Sequence, residues 1–140
     1  MSLEGKLVKE FHLKFGHYIN AYKALNSLCG EPNAELELTK LLFNRARFIQ
    51  QESSEFTEAV AKNDICGMYD ALIDLLYFIH GTAVIMGFDL LPGFIAVHES
   101  NMSKSMGKDN GGKVLKGPDW KPADIAGILR KQGFDIAMEE

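Results

Sequence analysis

Residues Gln50 to Gly81 read QQESSEFTEAVAKNDICGMYDALIDLLYFIHG, and the fold follows from this stretch. Glu52, Glu55 and Glu58 are spaced three apart. Beyond a short break at Asn63 and Asp64, Asp70 and Asp74 are spaced four apart. Residues three or four apart share a helix face, so each half of the stretch offers one acidic face. Asp74 is the unusual member, because Leu72, Ile73, Leu75, Leu76, Phe78 and Ile79 surround it. A helix apolar nearly all round is expected to be buried, and a lone ionised carboxylate there costs several kcal/mol unless it has a partner. Few cations lie within a turn of Asp74. A break this short makes the two helices antiparallel neighbours, so Glu52 and Glu55 can face Asp70 and Asp74. Four carboxylates repel one another unless a hard divalent cation sits among them, and Mg²⁺ or Mn²⁺ suits an all-oxygen set.

The rest of the chain builds outward from this pair as an all-α antiparallel bundle of about four to five helices, read as one domain over residues 1–140. Lys6–Phe15 places Leu7, Val8, Phe11 and Phe15 on one face, with His12 beside it as a boundary histidine or a ligand contact. Met1–Gly5 is given no weight. Gly16 breaks the pattern, and 16–33 holds one short packed helix closed by Gly30 and Pro32. Asn33 is expected to cap a long helix, with Glu35 and Glu37 in its first turn. Leu38, Leu41, Leu42, Arg45, Phe48, Ile49 and Glu52 follow one drifting face of that helix, which runs to about Lys62. Asp64 caps the next helix, from about Ile65 to Met86, which stops at Gly87. Asp89 caps a fourth helix ending near Ser103. Gly107–Pro118 is a loop or hairpin, and Lys121–Pro122 opens a last helix that stops at Gly133.

Composition narrows the function. A hydrophobic share of 46% is enough for a globular core, and a net charge of −4 argues against non-specific nucleic-acid binding. Cys29 and Cys66 lack CxxC spacing and read as reduced thiols of a cytoplasmic protein. No apolar run is read as a membrane span, and no signal peptide opens the chain. Di-iron bundles want Glu-x-x-His on two helices, which is absent, and zinc wants His or Cys near the acids. His80 lies well round the helix from Asp74 and reads as a packed histidine, as does His98 on another helix.

Carboxylate-bound Mg²⁺ commonly serves phosphate substrates. Such a substrate also wants cations of the chain's own, and Lys104, Lys108, Lys113 and Lys116 cluster in a glycine-rich segment, with Asn101 as a neutral donor. A solvated basic loop is the plainer account of that cluster. No Walker A pattern is present.

These residues resemble a family. QESSEF (Glu52 and Glu55 as Glu-x-x-Glu), DALIDLLYFIHGTAVIMGFDL, and VHESNMSK followed by GKVLKGPDWKPADI are similar to the all-α, MazG-like nucleoside triphosphate pyrophosphohydrolases. The likeness is to the short, often phage-borne branch related to phosphoribosyl-ATP pyrophosphohydrolase. It implies Mg²⁺-dependent hydrolysis of a nucleoside triphosphate to monophosphate and pyrophosphate, by homodimers often paired as tetramers. It implies Glu52, Glu55 and Asp74 as metal ligands with Asp70 beside them. One of these or Glu58 would position water, and Asn101 and Lys104 would touch the substrate. Lys113, Lys116 and His12 complete the expected substrate contacts. This sequence departs from the pattern at Gln51, where a second acid is usual. It departs again at Gly67 and Ala71, three residues before the aspartates, so one usual acidic ligand is absent or replaced. Phosphoribosyl-ATP is the rival substrate. A non-catalytic helical interaction module with a degraded metal site is the rival of a different class.

Overall fold

The computed structural model describes residues 1–22 and 32–138. Among them are five helices and no strand: α1 (Leu3–Lys14), α2 (Pro32–Ala61), α3 (Ile65–Met86), α4 (Leu90–Met102) and α5 (Ile125–Lys131). The all-α expectation holds. The short helix expected within 16–33, and Cys29 with it, lies largely outside the described residues. Two compact units form, Met1–Phe88 and Asp89–Glu140.

In the first unit, α1 and α2 both pack on α3. The turn between α2 and α3 forms as the sequence implies. Asp64 is the N-cap, its carboxylate accepting from the Gly67 N–H at 2.9 Å, and Asn63 takes a positive φ of 52°. Gly87 closes α3 in the left-handed region at φ 81°, and the Phe88 N–H returns to the Ala83 carbonyl at 2.8 Å. The core of the unit is built largely of small residues, among them Ala21, Ala34, Ala59, Ala71 and Ala83, with Val8, Leu38, Val84 and Ile85. Small side chains let the backbones approach. An ideal Cβ on Gly67 would lie 3.2 Å from that of Ala59.

Three boundaries move. Helix α1 begins earlier than Lys6, because the Ser2 hydroxyl accepts from the Gly5 N–H at 3.2 Å and so caps a turn that periodicity alone does not mark. Helix α2 begins at Pro32, with Asn33 inside it rather than capping it. Proline suits a first helical position because its missing N–H would have had no intrahelical partner. Helix α5 begins at Ile125 rather than at Lys121–Pro122. Asp124 is its cap, accepting from the Gly127 N–H at 2.8 Å.

Helix α3 also departs from the expectation of burial on nearly all sides. Leu72, Ile73, Leu76, Tyr77 and Ile79 are exposed, and within the first unit the helices packed on α3 are α1 and α2. By length and composition alone α3 could cross a membrane, contrary to the sequence reading, since two aspartates scarcely lower its mean hydropathy of 1.3. Its packing on two amphipathic neighbours is that of a bundle helix.

In the second unit, α4 packs on α5. Asp89 caps α4 as expected, and the Gln132 amide both accepts from the Asp89 N–H at 2.8 Å and donates to the Asp89 carbonyl at 2.9 Å. The glycine-rich segment is a short hairpin with an isolated bridge between Lys108 and Val114. The Asp109 carboxylate ties its tip, accepting from the N–H groups of Gly111 and Lys113, both at 2.9 Å.

Candidate metal and nucleotide site

Two anchors fix the register of α2 against α3. Near the turn, Ala59 abuts Gly67. Further along, the Phe48 and Phe78 rings lie 5.2 Å apart, tilted by 32°. Glu52 is one helical turn beyond Phe48, and Asp74 one turn before Phe78. The antiparallel register therefore sets Glu52 opposite Asp74, with Glu55 opposite the turn that holds Asp70.

Glu52 is buried, and its Oε2 has no hydrogen-bond partner. Burial pushes its carboxyl above the ordinary glutamate range, followed by the negative charges of Glu55 and Asp74 and, last, of Asp70. The charges of the other three expected ligands thus reach Glu52, those of Asp70 and Asp74 from across the α2–α3 seam. No lysine or arginine among the described residues pairs with any of them. Glu55 and Asp70 are exposed and Asp74 half-buried, so three of the four can turn without leaving a core. Gln51 stands where an acid is usual, and its amide donates to Glu55 Oε1 at 3.4 Å.

The donor set fits a hard divalent cation. It is all oxygen, it has an orphaned buried acceptor at its centre, and no cation among the described residues neutralises it. As placed, no three acidic, histidine or cysteine side chains among the described residues converge closely enough to hold an ion. To hold one, the exposed Glu55 and Asp70 and the half-buried Asp74 would have to turn toward Glu52.

The other expected site residues are spread more widely. Glu58 is exposed, one turn on from Glu55 toward the α2–α3 turn. His12 is buried, and its Nδ1–H donates to the Tyr18 carbonyl at 3.0 Å, which leaves Nε2 as the free acceptor. Burial holds its imidazole below the ordinary histidine range, with the charges of Arg45 and His17 acting the same way and the Tyr18 bond opposing them. In the second unit, exposed Asn101 stands at the end of α4 with half-buried Lys104 just beyond it. Lys113 is exposed on the hairpin, and the Lys116 ammonium lies 4.3 Å from the Trp120 ring centroid.

The apolar face of α2 carries one further residue of note. Arg45 is buried within the seam, two turns from Glu52. Its Nε donates to the Thr82 hydroxyl at 3.2 Å and its Nη2 to the Phe78 carbonyl at 2.9 Å. The guanidinium also lies over the Phe78 ring at 5.2 Å. The available signal was a charged residue on an apolar face, facing a glycine on the partner helix.

Residues 8–101, about two thirds of the chain, match the family model described as phosphoribosyl-ATP pyrophosphohydrolase. The chain belongs to the phosphoribosyl-ATP pyrophosphohydrolase family. The phosphoribosyl-ATP pyrophosphohydrolase match runs from Val8 in α1 to Asn101 in α4, so it includes the four carboxylates and Arg45, while Lys104, Lys113 and Lys116 fall beyond it. Membership of this all-α, MazG-like superfamily carries a pyrophosphohydrolase activity on a nucleotide. No curated protein matches the chain.

Proposed function

We propose that the protein hydrolyses a nucleoside or deoxynucleoside triphosphate to the monophosphate and pyrophosphate, in the presence of Mg²⁺ or Mn²⁺, in the cytoplasm. The observation that carries this reading is Glu52, a buried carboxylate with an unpartnered oxygen amid the charges of Glu55, Asp74 and Asp70. Glu52, Glu55, Asp70 and Asp74 would hold the cation. When bound, it supplies charge neutralisation for the polyphosphate and a more acidic water. The chain's own part is to hold these oxygens on two rigid helices. Glu58 or one of the four, free of the cation on one oxygen, accepts the proton of the attacking water. Asn101, Lys104, Lys113 and Lys116 are the proposed phosphate contacts, offsetting negative charge as pyrophosphate departs. His12 acts by holding the chain at Tyr18.

Phosphoribosyl-ATP is the second reading of the substrate, favoured by the description of the matching family. Parallel incubations of the purified protein with each nucleoside triphosphate, each deoxynucleoside triphosphate and phosphoribosyl-ATP, with product separation by ion exchange, test both. Pyrophosphate with the monophosphate is the expected outcome. Orthophosphate with a diphosphate would overturn the reading, and no turnover of any of them would leave the non-catalytic helical module.

A further inference from the structure

A buried arginine ordinarily has a carboxylate or phosphate partner, because a desolvated charge without one is costly. Arg45 is 9% exposed, and no acid among the described residues pairs with it. Its two hydrogen bonds use one edge of the guanidinium. Nε and Nη2 form that edge, and they are held by the Thr82 hydroxyl and the Phe78 carbonyl, which are themselves joined at 2.7 Å. A guanidinium has five N–H donors in a rigid fork. The opposite edge, formed by Nη1 and the second N–H of Nη2, makes no bond within the described chain.

Arg45 also lines a cavity of about 300 Å³, together with His17, Tyr18, Asn44 and Phe48. The cavity is aromatic and amphipathic, with Arg45 as a fixed cation and no acid among the described residues of its wall. It shares the seam with Glu52. Seven residues along α2 is two turns, or roughly 10 Å, on the same face, which is a distance a nucleoside spans.

We infer that this cavity takes the base of the nucleotide and that Arg45 selects bases presenting two adjacent acceptors on one edge, guanine (O6 and N7) or cytosine (O2 and N3), against adenine. The inference rests on the proposed function. Arg45 lines the cavity and carries donors only, so a base edge that offers an acceptor pair is matched. Adenine presents an amino donor beside its acceptor and leaves one arginine N–H facing a donor. Aromatic neighbours supply sequence-tolerant stacking, and discrimination falls to the fork. Gly81 serves the same arrangement, because a Cβ there would meet Arg45 Nη2 and come within 3.1 Å of His12 Nε2.

The test measures binding of dGMP, dCMP and dAMP to the full chain in EDTA by calorimetry. The phosphate is common to all three, so the ratio isolates the base. The wild type is expected to bind dGMP or dCMP at least ~10-fold more tightly than dAMP, the lower end of what one bidentate pair confers. Arg45→Lys keeps the charge and loses the fork, and should bring that ratio to near one with dAMP affinity unchanged. Arg45→Met should do the same, and a melting curve on each variant establishes that it is folded. Equal binding of dAMP by the wild type, a ratio unchanged in Arg45→Lys, or displacement of every ligand by orthophosphate alone would overturn the inference. Pyrophosphate release without base preference would remove only the role of Arg45. Base preference without pyrophosphate release would instead remove the proposed reaction.

Discussion

The Arg45 Nη2 donates to the Phe78 carbonyl at 2.9 Å, and this bond crosses from one carboxylate-bearing helix to the other. It is possible only because Gly81, one turn further along α3, leaves the space that the guanidinium occupies. The overpacking at Gly81→Ala should therefore cost about 1–3 kcal/mol, outweighing the roughly 1 kcal/mol that alanine gains over glycine in an open helix interior, so the variant should be no more stable than the wild type. Urea unfolding at pH 7 measures it. A variant more stable than the wild type would show that Arg45 has room to move aside.

Glu52 carries a pH prediction with a defined sign. Its carboxyl is raised, so the folded state holds that proton more tightly than the unfolded chain. The contribution to stability is therefore lost as pH rises from the ordinary glutamate range through the raised value, and the ionised form is a burden at neutral pH. In EDTA, Glu52→Gln should melt a few degrees higher than the wild type at pH 7.5, on the order of 1 kcal/mol. The gap should close toward pH 4. A lower melting temperature for the variant at pH 7.5 would contradict the burial of an unpartnered charge.

Metal dependence follows from the same cluster. Mg²⁺ or Mn²⁺ should raise the melting temperature of the wild type by mass action. Asp74→Asn should reduce that rise, and Glu52→Gln should abolish most of it while keeping its higher baseline. Glu55→Gln should lower the hydrolysis rate at least ~100-fold, since losing a ligand charge removes several kcal/mol of transition-state stabilisation. An equal metal-induced shift in wild type and Asp74→Asn would place the cation elsewhere.

Lys104→Ala separates substrate contacts from metal ligands. A charged lysine cannot ligate a cation, so the metal-induced shift should stay as in the wild type while KM rises or kcat falls by ~10-fold or more. Differential scanning fluorimetry and steady-state kinetics on one preparation decide it. Loss of the metal shift would show a structural defect instead.

The exposed apolar residues of α3 predict self-association. Leu72, Ile73, Leu76, Tyr77 and Ile79 are a large apolar stretch to leave on a soluble chain, and a second copy offers the same face. Light scattering at micromolar concentration should give at least a dimer, and Leu76→Glu should shift it toward monomer. A monomeric wild type would refute this.

Much of the site was legible because the α2–α3 turn is local. Asp64 and Gly87 mark the two ends of α3, and once the turn is known to be tight the spacing of Glu52, Glu55, Asp70 and Asp74 places them across one seam. The caps at Ser2 and Asp124 were not legible from hydrophobic period, because a cap is a single hydrogen bond rather than a repeat. The exposure of α3 was misjudged because composition reports how apolar a helix is, not how many neighbours reach it. Arg45 was hidden for a related reason. Its burial depends on a glycine 36 positions away, and only the antiparallel register brings the two together.

The small-residue seam has a consequence for how this chain tolerates mutation. Where leucines fill a core, truncation is the common injury and leaves a void. Here Ala59 and Ala71 with Gly67 and Gly81 line much of the contact, Ala83 is buried on another side of α3, and at these positions there is almost nothing to truncate. Damage comes from enlargement, because each added methyl pushes apart the helices that carry the carboxylates. A saturation library across these five positions should therefore be depleted in proportion to side-chain volume rather than polarity, with serine surviving where valine does not.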